Sequence, residues 1–162
     1  MKILPLHQTF VRTVAFFTAV LLTHVASAAP LSVGDSFPVL DGMQDQHEAA
    51  YPMPEGTRHV AVAFSMGAGK AANRYFSEQG AAYLPAEEAV FIANIYGMPG
   101  IGRLFAMPKM KKYPHRIMIA DEEGLLDDFP QEDGRVTIFD LDAAGKITAI
   151  RYWGSKSEES PF

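Results

Sequence analysis

The chain has 162 residues, a formal net charge of −5 and no cysteine. Without a thiolate it can support neither disulfide exchange, nor cysteine-type peroxide reduction, nor a thiolate metal site. An acidic surface is repelled by phosphate backbones, which argues against nucleic acid as a partner.

Lys2 and Arg12 precede an apolar run, Val14 to Leu22, and no acidic residue appears before Asp35. The run is shorter than the roughly 20 apolar residues that a spanning helix needs. It ends in Ala26-Ser27-Ala28, and Pro30 follows. A charged start, a short apolar core and a small-residue exit predict a signal peptide over 1–28, cleaved before Ala29. The expected product is an exported, periplasmic protein with no stable membrane anchor. Both Lys2 and Arg12 lie in this leader and none of the 19 acidic residues does, so the remainder of the 14 Lys+Arg leaves a formal charge of −7 on the rest of the chain. Its length suits one compact domain, expected over 29–154, with a flexible polar tail over 155–162.

Within the domain, 31–38 reads as an extended lead-in with a Gly34-Asp35 turn, and 44–54 as a polar loop. Arg58–Phe64 is a β-branched apolar run and predicts a strand. Ser65–Gly69 reads as a flexible bend before a helix from Lys70 to Glu78, stopped at Gly80. Leu84–Glu88 is a short connection. Ala89–Ile95 is continuously apolar and predicts a buried strand of a parallel or mixed sheet. Ile101, Leu104, Phe105, Met107, Met110 and Tyr113 have the spacing of an apolar helix face, with Pro108 as a kink or restart and Pro114 as a stop. Arg116–Ala120 predicts another strand, and Leu125–Pro130 a brief turn. Arg135–Leu141 and Lys146–Trp153 flank Asp142–Gly145 and predict a β-hairpin. Alternating strands and helices followed by a hairpin give an α/β class with a mixed sheet.

Several patterns resemble chemistry and fail on spacing. Gly67-Ala68-Gly69-Lys70 lacks the glycine and the Ser/Thr of a phosphate loop, since Phe64 and Ala71 stand there. Ser65 has no Gly-x-Ser-x-Gly context. Asp45-Gln46-His47-Glu48 has no second histidine at helical spacing, so no metal site is expected. The acidic pairs Glu87-Glu88, Glu122-Glu123 and Asp127-Asp128 read as solvated turns. Arg103, Lys109, Lys111, Lys112, His115 and Arg116 form the one basic cluster. It reads either as a solvated face or as a contact for an acidic partner or lipid headgroups.

Several stretches carry a family likeness. Leu31–Pro38 followed by Asp45-Gln46 resembles the opening of peroxiredoxin and thioredoxin-like domains. Phe105–Pro114, Ile117–Asp121 with Gly124, and Gly134–Gly145 resemble a group of small exported thioredoxin-like proteins of Gram-negative bacteria. The resemblance implies a thioredoxin-like three-layer fold ending in a C-terminal β-hairpin, with the closing helix shortened or missing. It places Met66-Gly67-Ala68-Gly69-Lys70 where active relatives carry Cys-x-x-Cys, and Arg135-Val136-Thr137 where they carry a proline. It also implies that a protein partner would dock at Ser65, Met66, Gly67, Ala68, Gly69 and Lys70 and at Arg135 and Val136, because thiol enzymes of this fold hold clients there. The expected function is a non-redox binding or accessory protein without a cofactor; the alternative is a flavin-binding oxidoreductase.

Overall fold

The computed structural model describes residues 29–154, 156–157 and 159–162. The signal peptide expected over 1–28 lies outside them. The described chain builds a mixed six-stranded sheet with three helices. β1 (Gln44–Asp45) is followed by β2 (His59–Ala63), α1 (Met66–Gln79), α2 (Tyr83–Ala86), β3 (Ala89–Asn94), α3 (Gly100–Met110), β4 (Met118–Ala120), β5 (Val136–Leu141) and β6 (Ile147–Trp153). The strand order is β1-β4-β3-β2-β5-β6. β2 lies parallel to β3 and antiparallel to β5, and the β5–β6 hairpin closes one edge.

The sheet is covered on both faces, which is why β2 and β3 read as unbroken apolar runs rather than alternating ones. Residues two apart share a face. Val60, Val62, Val90 and Ile92 meet Phe37, Met118, Phe129 and Phe139 on one side. Ala61, Ala63, Phe91 and Ala93 meet Ala68, Ala72 and Phe76 on the other. The alanines let α1 sit close to the sheet, and Ala68, Ala72 and Phe76 follow one another at helical i, i+4 spacing. The opposite face is covered mostly by irregular chain, the lead-in with Phe37 and Leu40 and the turn with Leu126 and Phe129. Phe37, Phe129 and Phe139 pack edge-to-face with centroids 5.4–5.6 Å apart.

Three local expectations are corrected. Ser65–Gly69 is not a bend: α1 begins at Met66, and neither Gly67 nor Gly69 has a positive φ. The polar stretch at 44–54 contains β1, paired with β4. The Leu84–Glu88 connection overlaps the short α2.

No helix follows β6 among the described residues. The end of the chain, expected as a flexible tail, lies against the α1 face instead. The Phe162 ring stacks on Phe76 at 5.9 Å, Pro161 is buried, and Trp153 Nε1 donates to the carbonyl of Glu159 at 3.0 Å. Ser160 Oγ meets Tyr83 Oη at 2.8 Å. A proline and a phenylalanine thus cover aromatic surface that would otherwise face water.

Candidate functional site

β2 delivers the chain to Ser65, whose extended backbone (φ −132°, ψ 157°) makes it the N-cap of α1. Its Oγ accepts from the Ala68 N–H at 3.2 Å. A serine that satisfies an orphan N–H fixes where a helix begins, even when glycines follow. α3 begins after Pro99 and runs to Met110. Pro108 sits in its last turn and forfeits only the bond to the Leu104 carbonyl, so the helix ends normally, with Lys111 N–H donating to Met107.

Between α1 and α3 lies a half-open groove of about 410 Å³. Its walls include Met66, Met98, Phe105 and Met110, with Ala93 from the end of β3 and Ile95 just after it. Among the described residues, Lys70 and Lys109 are the charged lining residues, and no carboxylate lines it. The apolar positions of α3 were expected to share one helix face, and that face is not covered at Ile101, Leu104 and Phe105. These are 71%, 74% and 76% exposed, and Met66 is also exposed. Of α3, Met110 is the residue fully buried.

The partner-contact residues expected from sequence separate into two places. Ser65, Met66, Gly69 and Lys70 line the groove, and Gly67 is exposed beside them. Ala68 and Val136 are corrected: both are buried core residues whose side chains offer nothing to a partner. Val136 pairs with Ala63, which brings Arg135 beside the start of α1. Arg135, however, is turned to Glu132 at 3.3 Å and lines a separate polar hollow with Lys156 and Ser157. Sequence reasoning missed the α3 wall and Asn73; the helical period of Ile101, Leu104 and Phe105 was the available signal.

Beneath the groove lies a buried polar network. Asn73 donates to the Gly69 carbonyl at 2.8 Å and accepts from His115 Nε2 at 3.0 Å. This places the His115 proton on Nε2, leaving Nδ1 without a partner among the described residues. Burial pushes His115 down to about 4, so it is neutral at physiological pH. Gln46 clamps the same segment, donating to the His115 carbonyl and accepting from the Ile117 N–H, both at 2.8 Å. Burial alone would raise the neighbouring Asp45 carboxyl, but Arg116 and the N–H groups of His47 and Ala49 outweigh it and hold it below the usual carboxylate range. Asp45 and Gln46 are therefore structural. No group of three or more metal-binding side chains occurs among the described residues.

The basic cluster is broken up in the same way. Arg103 is paired with Asp121, Lys111 with Glu48 at 2.9 Å, and Arg116 with Asp45. At the far end of β2, His59 Nδ1 lies 2.8 Å from Asp140, which also takes two bonds from Arg151. This arrangement orients an imidazole, but no hydroxyl hydrogen-bonds to it among the described residues, so a serine-type triad is not formed. The groove's aromatic residues are Phe105 and Tyr113, and Tyr113 is already stacked on His115. The flavin alternative gains no support from this lining.

No family model matches the chain, and no curated protein matches it. Solved structures do. A candidate protein disulfide isomerase from Bacteroides thetaiotaomicron aligns at TM-score 0.50 and 12% identity, over 75% of this chain and 79% of that one. The thioredoxin domain of a thiol-disulfide oxidoreductase from Bacteroides vulgatus aligns at 0.49 and 12%, over 74% and 88%. A peroxiredoxin-like protein from Aquifex aeolicus aligns at 0.48 and 11%, over 77% and 78%. Likeness at such identity is a likeness of fold. Together with the strand order it makes this a thioredoxin-like α/β domain, one that holds no sulfur nucleophile.

Proposed function

We propose that this chain is an exported, non-redox binding protein, a thioredoxin-like domain whose α1–α3 groove holds an apolar segment of a periplasmic protein partner. The observation that carries this reading is one concave apolar surface walled by exposed Met66 and Phe105, with Ile101 and Leu104 exposed on the same helix beside it. Contiguous exposed apolar residues rimmed by polar ones mark interaction sites, because leaving them in water is costly. The absence of cysteine removes the chemistry for which this fold is usually equipped at the same helix end. Export is supported by the charged, short apolar leader and its small-residue exit. Partners are proteins rather than nucleic acid, given the acidic balance of the chain.

Phe105→Asp tests the site. The residue is exposed, so the substitution should change stability by no more than about 0.5 kcal/mol. Partner capture, measured by crosslinking in the native compartment, should fall at least about tenfold, a loss of about 1.4 kcal/mol of binding. Val39→Asp removes an equally exposed apolar side chain that does not line the groove and should leave capture unchanged. Full capture by the Phe105 variant would remove the groove from the account.

A further inference from the structure

We infer that the segment seated in the groove is acidic as well as apolar: an amphipathic stretch of a partner protein with carboxylates beside its apolar anchors. The inference rests on the groove being the binding site and goes further, to the chemistry of what enters it.

Each wall carries the same order of residues. On α1, exposed Met66 is followed one helical turn later by Lys70; on α3, exposed Phe105 is followed one turn later by Lys109. Residues four apart on a helix share a face, so each lysine continues the stripe begun by its apolar neighbour. Both lysines are exposed, and neither forms an ion pair among the described residues. Of the neighbouring cations, Arg103, Lys111 and Arg116 each have a carboxylate of the same chain, whereas Arg74 and Lys112 form no ion pair among the described residues but do not line the groove. In an acidic chain, the groove thus presents two ammonium groups with no carboxylate lining it among the described residues.

The remaining features limit the occupant's size and type. Met66, Met98 and Met110 give walls that repack around differently shaped side chains. Ile101 and Leu104 are exposed on α3 but do not line the groove, so the apolar surface is wider than a small ligand in the cavity would cover. An anionic bilayer fits less well. The surface is concave, and a flat membrane would bring its charge against a domain that is acidic overall. A peptide presents carboxylates only locally, and a distance of about 8 Å screens it from the rest of the acidic surface at physiological salt.

The test uses two synthetic peptides with one amphipathic leucine pattern, one carrying Glu and the other Lys at the polar positions. They are titrated into the protein as the cell accumulates it, with amide chemical shifts as readout. The Glu peptide is expected to shift signals of Ser65–Asn73 and Met98–Met110 and to bind at least about tenfold tighter than its Lys twin. The combined substitution Lys70→Glu and Lys109→Glu, both at exposed positions, should invert that preference. Equal or tighter binding of the Lys peptide at the same residues would overturn the acidic partner while leaving the groove as the site. No groove shift with either peptide would overturn both readings. Binding to vesicles of anionic phospholipid without binding to the Glu peptide would replace the protein partner with a membrane surface.

Discussion

Gln46→Leu should lower the unfolding free energy by about 2–5 kcal/mol, measured by urea denaturation at neutral pH. Gln46 is 1% exposed, and its carboxamide satisfies two backbone groups at once, the carbonyl of His115 and the N–H of Ile117. Leucine fills a similar volume but strands both, and each buried group left without a partner costs about 1–3 kcal/mol. Gln46→Glu should do no better, since it keeps an acceptor for Ile117 but aims an oxygen at a carbonyl and buries a charge. Gln44→Leu, two residues away and exposed, should change stability by less than about 0.5 kcal/mol. A loss below about 1 kcal/mol for Gln46→Leu would mean that the segment before β4 is not held by this clamp. The side chain therefore links the chain just after β1 to the segment that enters β4, the strand beside β3.

Stability should also depend on pH through His115, by at most about 3 kcal/mol. The side chain is 2% exposed, packed among Phe76, Phe91 and Tyr113, and bonded to the uncharged Asn73. An unfolded histidine takes up a proton as the pH falls through about 6.5, whereas the buried one resists until about 4. Across that window the unfolded state binds more protons, so stability is full above about 6.5 and declines as pH falls towards 4. Asp45, Asp140 and Asp142, whose carboxyls are held below the ordinary range, weaken the fold only at lower pH and leave this interval to His115. His115→Gln keeps a donor for Asn73 and should flatten the profile between pH 6.5 and 4. An unchanged slope in that variant would place the proton uptake elsewhere. Because Asn73 lines the groove, the same protonation would loosen the groove floor in acid.

The sheet was legible because its signals are local. β2 and β3 announce themselves as unbroken apolar runs, and the hairpin through Asp142–Gly145, where Asp142 Oδ1 accepts from the N–H groups of Ala144 and Lys146. The start of α1 was not legible. Two glycines in five residues argue against a helix, but the Ser65 cap and the burial of Ala68 and Ala72 against β2 decide otherwise. On α3 the periodicity correctly grouped Ile101, Leu104 and Phe105, yet a period tells which residues share a face, not whether that face is covered. That distinction separated half of the candidate site from its other half. Ser65, Met66, Gly69 and Lys70 were recognised by position, whereas the wall with Met98, Phe105 and Lys109 exists only through tertiary packing. The docking of Ser160–Phe162 was hidden for the same reason, since three residues carry no periodic signal.

The groove between α1 and α3 is where we propose that this cysteine-free thioredoxin-like domain meets its partner. Hydrogen exchange on the protein recovered with its crosslinked partner, compared with the protein alone, addresses it most directly. Slowed amide exchange is expected in Ser65–Asn73 and Met98–Met110, with the β5–β6 hairpin unchanged. Protection confined to the hairpin or to the His59–Asp140 end of the sheet, with α1 and α3 exchanging as in the free protein, would contradict the proposal.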